Sequence, residues 1–164
     1  MRTYHRRVAR TTPDALWDAA TSLRLSDTRT LGRLVRWRIP DLDRELPYSE
    51  LFRTYPFTVL EEGRRHLLAG LCGRIWTMAR DYPRLSGPDD FARWDEPGTV
   101  RVLFGHWVKD CGGGRAELVS AARVEPVDRA AAMRLRALWG VVGPFERLVG
   151  AEAIVAATAR SARG

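Results

Sequence analysis

The chain has little cysteine, a single lysine and no long apolar run. Cys72 and Cys111 are its only cysteines, and their spacing matches neither a zinc knuckle nor a redox pair. A disulfide scaffold is thereby excluded, and a reducing, cytoplasmic setting is expected. No apolar stretch approaches the roughly 18 residues that span a bilayer, and the start, MRTYHRRVAR, carries charge with no apolar stretch behind it. A membrane span is therefore not expected. Low-complexity tracts, internal repeats and any Rieske or metal-binding string are also missing. A Ser–His–Asp nucleophile cannot be assembled either, because His5 and His66 sit in arginine-rich stretches that read as exposed.

What is present is a globular composition. Hydrophobic residues make up 45% and charged residues 29% of 164 residues, which suits one domain over 1–164 with a core of its own. The formal charge of +7 would attract anions. The basic residues are nevertheless spread along the chain, and all 27 but Lys109 are arginine. That pattern fits solvated positions under a GC-rich coding bias better than a nucleic-acid surface. Asp41, Asp43 and Glu45, and the adjacent Asp89 and Asp90, read as solvated surface, since nothing makes their oxygens converge on a cation.

Along the chain, Thr3 to Arg10 reads as a strand. A helix start follows, with Thr12 at the N-cap, Pro13 at the first helical position and Asp14 in the first turn, and with Leu16, Ala20 and Leu23 on one face. Leu31, Leu34 and Val35 suggest a second short helix between Asp27 and Trp37, stopped before Pro40. The proline-bearing connection from Ile39 to Pro56 is a candidate lid, whose Leu46, Leu51 and Phe52 would cap something apolar. Period-two patterning then predicts strands in FTVLEE and RHLLAGLCGRIWTMA, with Gly70 and Gly73 marking a bulge or a close backbone approach. FARWDE reads as another short strand. TVRVLFGHWVKD and RAELVSAARVEP, joined by Gly112 to Gly114, read as an antiparallel hairpin.

In the first hairpin strand Val100, Val102, Phe104, His106 and Val108 share a face, and in the second Ala116, Leu118, Ser120, Ala122 and Val124 do. The inward set of the second strand is mostly small, which leaves room beneath it. A long helix follows, from Asp128 to about Ala162, with Leu135, Leu138, Val142, Phe145, Val149 and Ala156 at three-and-four spacing. At 1.5 Å per residue its length is roughly 50 Å, more than a ten-residue strand of about 33 Å, so it crosses the sheet obliquely or overhangs it. Pro144 predicts a bend near Gly143. Strands followed by one long terminal helix describe a container: a sheet wrapped around a helix with a cavity between.

The order strand, two short helices, about six strands and a long final helix resembles the helix-grip fold of the START and birch-pollen-allergen superfamily, also called SRPBCC or polyketide cyclase-like proteins. The strings that carry the likeness are TPDALWDA, GLCGRIW, FARWDEPGTVRV and RALWGVVGPFERLVG, and the last is similar to actinobacterial members. The resemblance implies an α+β domain in which a curved antiparallel sheet of about six or seven strands wraps the C-terminal helix. It also implies a hydrophobic cavity used by different members for lipids, sterols, quinones, polyketides or plant hormones. No catalytic residue transfers with it: LEEGRRH stands where the pollen-allergen branch has its glycine-rich loop, and Lys109 faces outward at a strand end.

The expected function is binding of a small lipid-, polyketide- or quinone-like molecule, with no cofactor and no metal. The expected walls are Phe104, His106, Leu118, Ser120 and Ala122 from the hairpin, Arg74, Trp76 and Met78 from a neighbouring strand, and Trp139, Val142 and Phe145 from the helix. Arg74 and Trp76 together would grip an acid or carbonyl end. His106, the one ionisable group the alternation places inside, would orient a polar group. Two alternatives use other chemistry. One is a cyclase or dehydratase without metal in which His106 is the acid or base, and the other is a basic module for RNA or an acidic partner.

Overall fold

The computed structural model describes residues 1–28, 43, 45–77 and 82–161; of 141–153 it describes only the helical backbone. The second short helix expected between Asp27 and Trp37 lies mostly outside these residues. So do Met78 and the side chains of Val142, Phe145 and Val149, together with the bend expected near Gly143.

Five antiparallel strands form one sheet: β1 (Arg2–Ala9), β2 (Thr58–Gly63), β3 (His66–Gly73), β4 (Val100–Gly112) and β5 (Arg115–Pro126), in the spatial order β1-β5-β4-β3-β2. The first helix, α1 (Pro13–Thr21), starts as its sequence dictates: the Thr12 hydroxyl accepts a hydrogen bond from the Ala15 amide at 3.3 Å, and Pro13 stands at the first turn. A 3-10 turn (Leu25–Asp27) and the four-residue helix α2 (Tyr48–Leu51) complete the cover on that side. A further short helix, α3 (Pro88–Arg93), lies between β3 and β4 in the chain. The last element, α4 (Arg129–Ser161), has 33 residues. Asp128 caps it by accepting from the Ala131 amide at 2.7 Å, and its other oxygen accepts from the Gly98 amide at 2.7 Å, which ties the helix start to the turn before β4. These two backbone donors, the Ala131 amide first, hold the Asp128 carboxyl below its ordinary range.

The hairpin is long and regular. Its register runs from Val100 opposite Pro126 to Gly112 opposite Arg115, and Gly112, Gly113 and Gly114 turn it with φ of 71°, 58° and 68°, values that L side chains rarely adopt. With β strands of 13 and 12 residues, α4 is less overlong than expected. Its first half packs Leu135 with Val100, Val102 and Val124. Its last turns pack Ile154 and Ala157 with Val108, Ala116 and Leu118. The helix therefore runs the length of the inner face of β4 and β5.

Among the described residues the sheet has five strands, not six or seven, and β3 is shorter than expected. After Gly73 the chain leaves the ladder, because Thr77 donates from both its amide (3.2 Å) and its hydroxyl (3.0 Å) to the Arg74 carbonyl, closing a turn over Arg74–Thr77. The expected strand FARWDE instead begins inside α3. Pro88 opens that helix, Asp89 and Asp90 occupy its first turn, and the Asp90 carboxylate accepts from the Ser86 amide at 2.8 Å. These are helix-start signals that outrank a short alternation. The bulge anticipated near Gly70 lies across the ladder in β2, between Val59 and Glu61.

Gly70 marks a close approach instead. A Cβ there would stand 2.6 Å from the Phe91 ring of α3 and 2.9 Å from the Leu60 side chain. Gly70→Val is expected to destabilise the protein by about 1–3 kcal/mol through overpacking. Phe91→Ala should recover part of that loss in the double variant, as read from urea unfolding midpoints; independent, additive effects would refute the contact.

Candidate functional site

Two apolar clusters meet on the inner face of the sheet without filling it. One joins Leu23, Leu25, Tyr48, Leu51, Phe52, Leu67 and Ala69, and the other joins Leu16, Val108, Ala116, Leu118, Ile154 and Ala157. Between them lies a partly open cavity lined by Trp17, Ala20 and Leu23 on the α1 side, Tyr48, Ser49 and Phe52 from α2 and its C-terminal flank, Leu67, His106, Leu118 and Ser120 from the sheet, and Ile154 from α4. Its free space is about 420 Å³ counted with the open mouth, but only about 30 Å³ admits the centre of a water-sized sphere. That is room for about two ordered waters, so the cavity as it stands is narrow.

Alternation in β4 and the antiparallel register explain its polar floor. His106 is directly opposite Ser120, and residues so paired point to the same face with Cβ atoms about 4.5–5.5 Å apart. His5 of β1 is opposite Ser120 on the other side, which makes a row of His5, Ser120 and His106 across three strands. His5 is half-buried, not exposed as its arginine-rich flanks suggested. His66, at the start of β3, is likewise half-buried, with Nε2 3.0 Å from Glu61.

The His106 ring packs against Phe52 (centroids 4.7 Å apart) and edge-on to Tyr48 (5.5 Å). Its Nε2 is buried and meets no hydrogen-bond partner among the described residues. Burial holds its pKa down, at about 4, so the imidazole is neutral at pH 7. Burial likewise pushes the Tyr48 phenol above its ordinary range. Ser49 is already engaged, donating to the Thr21 carbonyl at 3.0 Å. Among the described residues, the cavity lining contains no acidic or basic side chain other than this neutral imidazole.

Of the residues singled out in the sequence, His106, Leu118 and Ser120 come together here. Phe104 does not line the cavity; it packs beside it, against Phe52 and Phe57, both with ring centroids 5.6 Å away. Ala122, buried on β5, also lies outside the lining. Trp76 and Trp139 pack at the opposite end of the sheet with Leu71, Val100, Val102, Val124 and Leu135. Arg74 is exposed, 3.9 Å from Glu96, so the Arg74–Trp76 grip is not part of this site. Trp17, Ala20, Leu23, Tyr48, Ser49, Leu67 and Ile154 were missed as wall residues. The α1 stripe was a readable signal for Ala20; no local pattern marks Tyr48 or Ser49.

Other chemistry is thinly supported. Among the described residues no group of three or more His, Cys, Asp or Glu could hold a metal ion, and no helix is long and apolar enough to cross a membrane. Asp43 accepts from the Glu45 amide at 2.9 Å and Glu45 pairs with Arg24 at 2.6 Å, which occupies both in local structure. Cys72 is buried, and desolvation raises its thiol to about 12, an inert state.

Comparison with protein-family models and with curated proteins returned no match. Solved structures that resemble the chain include TTHA0849 from Thermus thermophilus, at 10% identity over 99% of this chain and 98% of that one, with a TM-score of 0.38. The Zhui aromatase/cyclase from Streptomyces sp. R1128 shares 12% identity over 99% and 94%, TM-score 0.36, and Ara h 8.0201 shares 7% over 100% and 99%, TM-score 0.30. Likeness at that level carries no argument about function. The α+β architecture stands on the five-stranded antiparallel sheet and its C-terminal helix.

The neutral His106 couples the site to pH. In the unfolded chain a histidine titrates near 6.5, whereas His106 in the fold stays unprotonated down to about 4. Between those values the unfolded state binds more protons, so stability falls as pH drops from about 6.5 to about 4, by up to about 3 kcal/mol. Among the residues that line the cavity the only other titratable group is Tyr48, whose phenol stays neutral across this range. Urea unfolding at pH 7 and pH 4.5 should show this loss, and His106→Phe should reduce it; an identical pH dependence in the variant would refute the assignment.

Proposed function

We propose that residues 1–164 form a single helix-grip domain of the polyketide cyclase-like kind, which holds a small, largely apolar molecule in the cavity between sheet, α1, α2 and α4. The observation that carries this reading is the cavity itself: apolar walls with one buried nitrogen, His106 Nε2, lacking a partner among the described residues. Binding would come chiefly from removing apolar surface from water, about 25 cal/mol per Å², with the floor residues fixing orientation. The free thiols of Cys72 and Cys111 suit a reducing, cytoplasmic setting.

A cyclase or dehydratase using His106 is the weaker reading. General acid–base catalysis works best with a pKa near the working pH, and desolvation takes His106 to about 4. Nucleic-acid binding is weaker still, because many arginines are already paired. Arg65 donates to Asp14 at 2.7 Å, Arg53 pairs with both Glu50 and Glu62, and Arg123 meets Glu125 at 2.5 Å.

Ala20 faces the cavity from α1 and is only half-buried. Ala20→Phe is expected to fill the space and weaken binding at least tenfold, with a stability loss of no more than about 1–3 kcal/mol. Native mass spectrometry of the freshly purified protein, followed by organic extraction, should yield a co-purifying apolar molecule that the variant lacks. Equal retention by both proteins would place the ligand elsewhere.

A further inference from the structure

The cavity also constrains the chemistry of its occupant. The chain contains no asparagine and no glutamine, and the polar side-chain groups that line the cavity are the His106 imidazole, three hydroxyls and the Trp17 indole N–H, which can only donate. Of the residues among these that can accept, Ser49 already donates its hydroxyl to the Thr21 carbonyl. His106, Ser120 and Tyr48 remain. Among the described residues no lysine, arginine, aspartate or glutamate joins them.

A carboxylate brought here would lose its water and meet no counter-ion, which is the least favourable way to bury a charge. A hydroxyl meets no such obstacle. Because it both donates and accepts, it satisfies Nε2 in either imidazole tautomer, whereas a carbonyl satisfies only the protonated one. His106 and Ser120 stand directly opposite in the β4–β5 ladder, close enough for one ligand oxygen to reach both side chains.

We infer that the ligand is an uncharged alcohol or phenol, its hydroxyl set against His106 Nε2 and Ser120 and its apolar body against Trp17, Leu118 and Ile154, and that carboxylate-bearing lipids are rejected. This rests on the proposed function of the same cavity. A neutral imidazole at pH 7 agrees with it, since it offers no positive charge to hold an acid.

Three probes on one p-tolyl frame vary the polar group: p-cresol, toluene and p-toluate, the last ionised at pH 7. Each is titrated into the full chain and followed by NMR at the Trp17 indole signal. p-Cresol should bind at least tenfold tighter than p-toluate and about threefold or more tighter than toluene. His106→Phe should bring p-cresol down to the affinity of toluene while changing toluene itself less than twofold, and Ser120→Ala should remove part of the same preference without altering the ring packing. Binding of p-toluate as tight as p-cresol, or a p-cresol preference intact in both variants, overturns the inference while leaving the cavity as a binding site. If none of the probes, toluene included, perturbs Trp17, the cavity is not a binding site and the inference falls with it.

Discussion

The small inward side chains of β5 are the constraint on which the rest of the architecture turns. Ala116, Ser120 and Ala122 alternate with Glu117, Val119, Ala121 and Arg123, so beneath the C-terminal helix only Leu118 and Val124 bring bulk from that strand. Protein interiors pack at about 0.75 of their volume, and a deficit on one wall must be met from another or remain open. α2 and its flank meet much of it: Phe52 reaches in against Phe57, Phe104 and His106, with ring centroids 5.3, 5.6 and 4.7 Å away. What the aromatics do not fill is the cavity.

The same geometry separates charge from the interior. Opposite-facing residues of the hairpin form ion pairs on the outer face, with Arg101 and Arg123 both reaching Glu125 and Arg6 lying 3.7 Å from Glu117. Such exposed pairs contribute little stability, about 0–1 kcal/mol each. Their consequence is compositional: these arginines lie outside, and the polar groups of the cavity floor are imidazole and hydroxyl. A basic chain can thus enclose an uncharged pocket.

Much of this was legible because it depends on local pattern. Period two placed His106, Leu118 and Ser120 on one face, the triple glycine announced the hairpin turn, and Thr12 and Asp128 marked helix starts that the hydrogen bonds reproduce. Trp76 failed for a physical reason. In β3 Leu67, Ala69, Leu71 and the off-phase Gly70 and Cys72 are all buried, so alternation faded, and an apolar run gives no sign of where pairing stops. Tyr48 and Ser49 could not be placed at all. Their position depends on α2 folding back over the sheet, a long-range event without a local periodicity in four residues. His5 was misjudged from Arg6 and Arg7 beside it, whereas its register opposite Ser120 places it on the inner face.

The narrowness of the cavity then decides which part of the fold must yield to admit a guest. The sheet floor is held by continuous ladders and α4 by its cap and two packing zones. α2 is one turn long, has no side-chain cap hydrogen bond, and is tied to the chain before it by the Ser49–Thr21 bond and by the Tyr48 amide donating to the Leu23 carbonyl at 2.5 Å, beside the Leu25 to Leu46 backbone bond of 3.2 Å. A single helical turn has little stability of its own and depends on its packing. Tyr48 and Phe52 belong to or adjoin that turn and press on His106, so displacing it would widen the cavity and uncover Nε2 in one motion. The four-residue α2 is therefore also the element whose movement would expose the group that needs a partner.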